Sequence, residues 1–351
     1  MYPIRILNLE QTEVVLDMKT VIEDIEKVYS MKSRGAGTLF PMIFHEFTHD
    51  AADMDIKSGL LEDAGIFGLK LVSWYGNNAK KGLPLLTGTV MVFDLFTGKP
   101  LGLMSAEHLT GMRTGAAGAI GAKHLARKNS ENLLIVGAGH QAAYQIAAAL
   151  IALDNIKTVR IYDPLDNENA ATFASRIKSR LTDNFLSKYD KESEDYKNIA
   201  TKYNVSFEAV TNIEAAVPNS DVIITVTPSK KPLIMCEWVQ KGTHLSCIGA
   251  DMSGKQETDE NIFTRAKIFV DDLVQATSVG ECEIPIKRGV ITKDSIIGEI
   301  GELINGTKTG RTSDSDITIY DSTGISLQDL MTANRALKLA EKKNIGTVVE
   351  L

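Results

Sequence analysis

The sequence predicts an α/β chain: a Rossmann-type doubly wound parallel sheet joined to a mixed α+β domain. Three observations lead there. An unbroken aliphatic strand, Leu133-Leu134-Ile135-Val136, runs into Gly137-Ala138-Gly139-His140-Gln141-Ala142 and then into a long helix of small and apolar residues, with Asp163 twenty-one residues past Ala142. Between about 131 and 310, strand and helix alternate, with strands near 133, 159, 206, 223, 245 and 268 of the apolar type buried on both faces. The first 130 residues lack that alternation, and 351 residues suit two domains. The expected division is 129–321 for the dinucleotide domain, and 1–128 with 322–351 for the other.

Residues 14–33 have helical periodicity with a basic end, and short strands follow the break at Gly35-Ala36-Gly37. The clearest are 67–74 and 88–93; a turn over 94–100 precedes another at 101–104. A helix over 109–125 carries Thr114-Gly115-Ala116-Ala117-Gly118-Ala119, a bare surface that invites another backbone. The charged stretch 183–197 reads as a solvated helical insertion. After a last strand at 317–320, a helix over 326–343 with a stripe of Leu327, Leu330, Met331 and Leu337 closes the chain and is expected to pack on the first domain.

Composition removes several classes of function. Net charge is −7 with no stripe of Lys and Arg, so neither nucleic acid nor an anionic membrane is expected as a partner. Three cysteines without C-x-x-C spacing argue against a disulfide framework or a thiolate metal site, and fit a reducing cytoplasm. Met1-Tyr2-Pro3-Ile4-Arg5 has no leader character, and no segment approaches the ~18 apolar residues of a membrane span. His45 and His49 are four apart outside a clear helix, so no metal is expected, and no serine or cysteine sits on a nucleophile elbow.

The glycine turn is a dinucleotide site. Gly137 permits the strand-to-helix turn, Gly139 lets the backbone approach a pyrophosphate, and Ala142 lets helix and strand pack closely. The helix beginning at His140 and Gln141 offers free N–H groups to phosphate. Asp163, at the end of the next strand, would accept hydrogen bonds from the adenosine ribose and repel a 2′-phosphate, which favours NAD over NADP. Pro164 stands where an Arg for NADP is expected, and the direction of Arg160 is left open. Thr225 and Thr227, after the strand near 223, are placed with the cofactor residues.

Four places could supply a substrate site at the carboxyl ends of the strands. Lys70 interrupts an apolar strand, so its ammonium is either a member of a structural ion pair or the receiver of a substrate carboxylate. Arg113 enters the small-residue helix and has the fork for a carboxylate, unless it is a surface Arg at a helix start. Asp251 follows a buried strand, where it can act as base, hold an ammonium, or start an Asp-x-x-Gly turn. Asp321-Ser322-Thr323-Gly324 is again a strand end, with Gly324 suited to close approach by a nicotinamide.

These pieces together resemble the ornithine cyclodeaminase/mu-crystallin family, and within it the archaeal-type alanine dehydrogenase branch. The matching stretches are Gly82-Leu83-Pro84, Leu109 to Gly118, the turn at 137–142, Gly242-Thr243-His244, Ile248 to Glu257, Val270-Asp271-Asp272-Leu273, and Gly310-Arg311-Thr312-Ser313-Asp314 through Gly324. The resemblance implies that Lys70 and Arg113 hold the α-carboxylate of an amino- or imino-acid substrate, with Lys70 also a proton donor. It implies Asp251 as acid/base or ammonium-binding group, cofactor contacts from Thr114 and from Ser322, Thr323 and Gly324, and a homodimer built by the first domain.

Two positions bear on the substrate. Where the family commonly carries Arg or Lys after a proline, this chain has Pro41-Met42, which removes a cation from the clamp. A basic position of the alanine dehydrogenase branch falls on Lys57, where the cyclising branch resembles a Glu suited to a distal amine. Lys57 would repel such an ammonium by about 1 kcal/mol or more, which disfavours ornithine. The reading that follows is an NAD-dependent amino-acid dehydrogenase or imine reductase. A cyclodeaminase with NAD recycled in place is one alternative, and a mu-crystallin-like binding protein another.

Overall fold

A computed structural model describes residues 2–351, which divide into two compact units. One comprises the residues up to Leu16, Glu23–Arg113 and Ile325–Leu351; the other comprises Asp17–Ile22 and Thr114–Gly324. The division falls after Arg113, not at 128/129 as expected. The reason lies in the small residues that follow. A Cβ on Gly115 would sit 2.6 Å from the Tyr144 carbonyl oxygen, and one on Gly118 would sit 2.2 Å from the Gln145 side chain. The helix from Thr114 onward is therefore packed into the dinucleotide unit.

The first unit is built on an eight-stranded sheet. Its strands are β1 (Pro3–Leu7), β2 (Gly37–Leu39), β3 (Ile43–Thr48), β4 (Ala52–Leu61), β5 (Ile66–Tyr75), β6 (Leu86–Asp94) and β7 (Pro100–Ser105), with a last strand, Thr347–Glu350. The spatial order is Thr347–Glu350, β1, β7, β6, β5, β4, β2, and β3 also pairs with β4. The expected helix Ser326–Lys343 forms across this sheet, but it does not close the chain. Asn344 ends it in the left-handed region, Gly346 turns at φ +96°, and the chain returns antiparallel to β1. The periodicity over 14–33 resolves into two helices, Leu9–Val15 and Met18–Ser33, the first capped by Asn8.

The second unit is the doubly wound sheet. Its strands are β8 (Asn132–Val136), β9 (Thr158–Tyr162), β10 (Ser206–Ala209), β11 (Val222–Thr225), β12 (Lys230–Ile234), β13 (His244–Cys247), β14 (Gln256–Thr258), β15 (Ala266–Val270), β16 (Ile296–Glu299) and β17 (Ile317–Asp321). All pairs in the main sheet are parallel, in the order β10-β9-β8-β11-β13-β17-β15-β16. β12 and β14 make a separate two-stranded sheet. One expectation fails at the margin: β10 is mostly exposed, not buried on both faces, because it is an edge strand.

The charged stretch 183–197 is not simply solvated. Phe185 and Leu186 are buried, and Phe185 meets Tyr144 edge-on at 5.5 Å. The Tyr189 hydroxyl donates to Asp17 (2.9 Å) and accepts from the Lys19 amide (3.0 Å), while Asp195 pairs with Lys19 at 2.7 Å. A few apolar side chains inside a polar run are enough to dock it. Among the described residues no helix is long and apolar enough to cross a membrane.

Candidate active site

In the first unit, the face of the sheet that carries Lys70 lies under the helix Ser326–Lys343. Gly59 and Gly68 are paired across β4 and β5, two residues along from the pair Lys57 and Lys70, so all four positions share one face. A Cβ on Gly68 would fall 2.8 Å from Leu330 Cδ2, and one on Gly59 2.9 Å from Leu327 Cδ2. The missing side chains let the helix settle onto the strands. That approach delivers Asp329 to the cations.

Lys70 is 3% exposed, and its Nζ lies 2.9 Å from Asp329 Oδ2. Arg113, also buried, gives its Nε to Asp329 Oδ1 at 3.0 Å and its Nη1 to Gln328 Oε1 at 3.1 Å. Gln328 in turn accepts from the Ile325 amide and donates to the Tyr29 hydroxyl. One buried carboxylate thus serves two buried cations, with Lys57 opposite Lys70 as a third positive charge nearby. Burial, and after it the guanidinium of Arg113, push the Lys70 ammonium from 10.5 to about 8 in spite of Asp329. Burial alone would raise the Asp329 carboxyl, but Arg113 and then Lys70 outweigh it and hold it below the usual carboxylate value.

Lys70 is therefore an ion-pair member, and Arg113 is no surface residue. Neither fact removes them from substrate binding. The cluster keeps an excess of positive charge, and Nη2 of Arg113 is engaged in neither bond to the helix. Met42 belongs to the same unit but stands exposed among other exposed apolar residues, Phe40, Ile43, Phe44 and Phe47.

In the second unit, Gly137 adopts φ +111°, and a Cβ there would meet Thr227 Cγ2 and the Val226 oxygen at 3.0 Å. A Cβ on Gly139 would meet nothing within 4 Å, so the turn is open on that side. The helix His140–Ala152 begins at Gly139 with no side-chain cap, and Oε1 of Gln141 is buried without a hydrogen-bond partner. Uncapped N–H groups above an open glycine turn fit a dinucleotide pyrophosphate. Asp163 accepts from the Leu165 amide at 2.9 Å and from Asn169 Nδ2 at 2.5 Å. Arg160 is committed to Asn132, the Asn219 carbonyl and Glu208, which settles its direction.

Thr225 and Thr227 are buried, and both give their hydroxyls to Glu257, at 2.6 and 2.7 Å. Glu257 also accepts the amides of Thr227 and Gly249, so one carboxylate ties the ends of β11 and β13 together. Asp271 does the same for the last strand end, accepting from Ser322 (3.1 Å), Thr323 (3.0 Å) and the Gly324 amide (2.7 Å). Thr114 accepts from Gln145 through its carbonyl. Asp251 is half-exposed and paired with Lys255 at 2.5 Å. The turn beside it is held by Glu283, which accepts from Ser253 and the Gly254 amide.

Of the expected residues, then, Lys70, Arg113 and Lys57 gather in one unit, while the glycine turn, Asp163, Thr225, Thr227, Asp251 and the Ser322–Gly324 stretch belong to the other. Sequence reasoning missed Gln328, Asp329, Glu257 and Asp271 as partners. The signal for Asp329 was present: an acid beside the apolar stripe of a helix that must bury needs a cation. His49 turns to the exposed acids Glu46 and Asp50 and makes no pair with His45. Such exposed groups are common without an ion.

The family model of the ornithine cyclodeaminase/mu-crystallin family matches residues 5–185 and 186–344. The alanine dehydrogenase of Archaeoglobus fulgidus is 36% identical over 345 residues, 98% of each chain. The iminosuccinate reductase of Paracoccus denitrificans is 34% identical over 333 residues, 95% of each. Among solved structures, an archaeal alanine dehydrogenase dimer with bound NAD superposes with a TM-score of 0.88 at 36% identity, covering both chains fully. The Delta(1)-pyrroline-2-carboxylate reductase of Thermococcus litoralis, in complex with NADH and L-proline, gives 0.87 at 29% identity, covering 99% of this chain and all of the other.

Proposed function

The chain belongs to the ornithine cyclodeaminase/mu-crystallin family, and from that premise we propose that it is an NAD-dependent oxidoreductase of the carbon–nitrogen bond, an imine reductase and amino-acid dehydrogenase for small amino and imino acids. The observation that carries this is the buried cluster of Lys70 and Arg113 on a single Asp329. Its remaining positive charge suits the α-carboxylate of the substrate. Lys57 beside it disfavours a basic side chain and so argues against ornithine and the cyclising reaction.

When bound at the glycine turn, NAD supplies or accepts the hydride of the reaction. Gly137, Gly139 and the N–H groups from His140 and Gln141 hold its pyrophosphate, and Asp163 its ribose. Thr114 and the stretch Ser322, Thr323 and Gly324 complete that side. Arg113 binds the substrate carboxylate and fixes the adjacent carbon. Lys70, with its ammonium near pH 8, is matched to giving a proton to the substrate nitrogen at neutral pH. Asp251 holds the ammonium of the amine form and, in the oxidative direction, takes a proton from the water that releases ammonia.

The exposed apolar residues Phe40, Met42, Ile43, Phe44 and Phe47 on the first unit support assembly as a homodimer through that unit. The free cysteines Cys236, Cys247 and Cys282 fit a reducing cytoplasm. The test is a screen of 2-oxo acids with ammonia, and of cyclic imino acids, followed by loss of NADH absorbance. Turnover with at least one imino acid is expected, and ornithine with catalytic NAD should yield no proline. Proline and ammonia without net NADH would instead favour a cyclodeaminase.

A further inference from the structure

We propose that Asp329 is the positioning residue of this site, a carboxylate built into the C-terminal helix that keeps Lys70 charged and aimed and Arg113 turned in the same direction. The inference rests on the imine-reductase reading for its kinetic consequence, but its physical core, control of Lys70 by Asp329, does not.

The geometry is specific. Lys70 faces Lys57 on β4 and Val90 on β6, with Arg113 arriving from the helix Glu107–Leu125 and Asp329 from the helix Ser326–Lys343. Among the charged groups that act most strongly on Lys70, Arg113 and Lys57 are positive and Asp329 is negative. A buried amine flanked by two cations would lose its proton well below neutrality without an answering anion. Asp329 supplies it from a position that is itself fully buried, with each oxygen given to a different cation. The same two contacts fix direction. Nε of Arg113 is bound to the helix, so the guanidinium plane is set before any ligand arrives, and Gln328 locks its Nη1. The helix that carries Asp329 is seated by Leu327 and Leu330 over Gly59 and Gly68, so the carboxylate is held by backbone packing and not by a flexible loop.

Two readouts separate this role from simple support of the fold. A side-chain nitrogen NMR titration of lysines, with Lys70 assigned by its loss in Lys70→Met, needs no activity. The wild-type midpoint is expected near pH 8. In Asp329→Asn it should fall by about one unit or more, and in Asp329→Glu it should stay near the wild type because the charge is kept. In the reductive assay the basic limb of kcat should move with the NMR midpoint in Asp329→Asn, while Asp329→Glu, with its charge displaced by one methylene, should lose about tenfold in kcat with its limb unmoved. An Asp329→Asn midpoint equal to that of the wild type overturns the proposal. If that variant does not fold, a Glu variant with wild-type kcat overturns it instead. Wild-type protein that reduces no imino acid, yet shows the expected NMR shifts, would refute the imine-reductase reading and leave control of Lys70 by Asp329 supported.

Discussion

Replacing Lys70 with Met tests the catalytic assignment against a purely structural one. Burial and the neighbouring guanidinium push the ammonium from 10.5 to about 8 in the fold, so lodging it charged costs the fold about 3 kcal/mol at neutral pH. The sign follows from linkage. The folded value is lowered, so the penalty is full below about pH 8 and fades as the pH climbs toward 10.5. A methionine of similar length escapes that penalty, and Asp329 keeps Arg113 at 3.0 Å. The variant should therefore melt no lower than the wild type at pH 7. Its reductive kcat, measured by loss of NADH absorbance, should fall by about 10² to 10⁴, the usual worth of a positioned acid. In the wild type, Lys70 is about nine-tenths protonated at pH 7 and about one-tenth at pH 9, so kcat should fall roughly tenfold per unit above pH 8, and this limb should vanish in the variant. A Lys70→Met enzyme with undiminished kcat refutes the reasoning, as does one that is badly destabilised while Arg113 and Asp329 stay in place.

Two further outcomes follow from the second unit. Asp163→Ala should weaken NAD binding about tenfold by calorimetry and narrow the preference over NADP, since the carboxylate proposed to hold the ribose is lost; unchanged affinity would remove Asp163 from the site. Burial raises the Asp321 carboxyl from 3.8 to about 7, so its contribution to stability is fully kept below about pH 4 and lost as the pH rises to 7. Asp321→Asn should accordingly raise Tm at pH 8 and leave it nearly unchanged at pH 4, whereas equal shifts at both would contradict the assignment.

What the sequence disclosed and what it hid have different physical origins. The glycine turn, the strand at 132–136 and Asp163 are local: spacing and residue type along one stretch carry the whole signal, and the structure places them as the spacing requires. The helix Ser326–Lys343 was legible for the same reason, its apolar stripe being a property of one segment. That Asp329 on this helix needs a cation was legible too, but not which one, because Lys70 and Arg113 lie more than 200 positions away in the chain and periodicity says nothing about which charge a buried acid will meet. Glu257 and Asp271 were hidden likewise. Each lies tens of positions along the chain from the groups it binds, so the turning of the Thr225, Thr227 and Ser322 hydroxyls to buried carboxylates left no local trace in the sequence. The final strand Thr347–Glu350 was missed because four residues at a terminus carry almost no pattern, and its partner β1 lies at the other end of the sequence.

The most direct measurement follows the hydride itself. NADH carrying deuterium at the transferable position, incubated with the protein and an imino acid found in the screen, should place one deuterium on the carbon next to the product's carboxylate, in step with NADH consumed. An amino acid formed without deuterium at that carbon, or NADH oxidised with no amine product, would contradict an imine reductase built on Lys70 and Arg113.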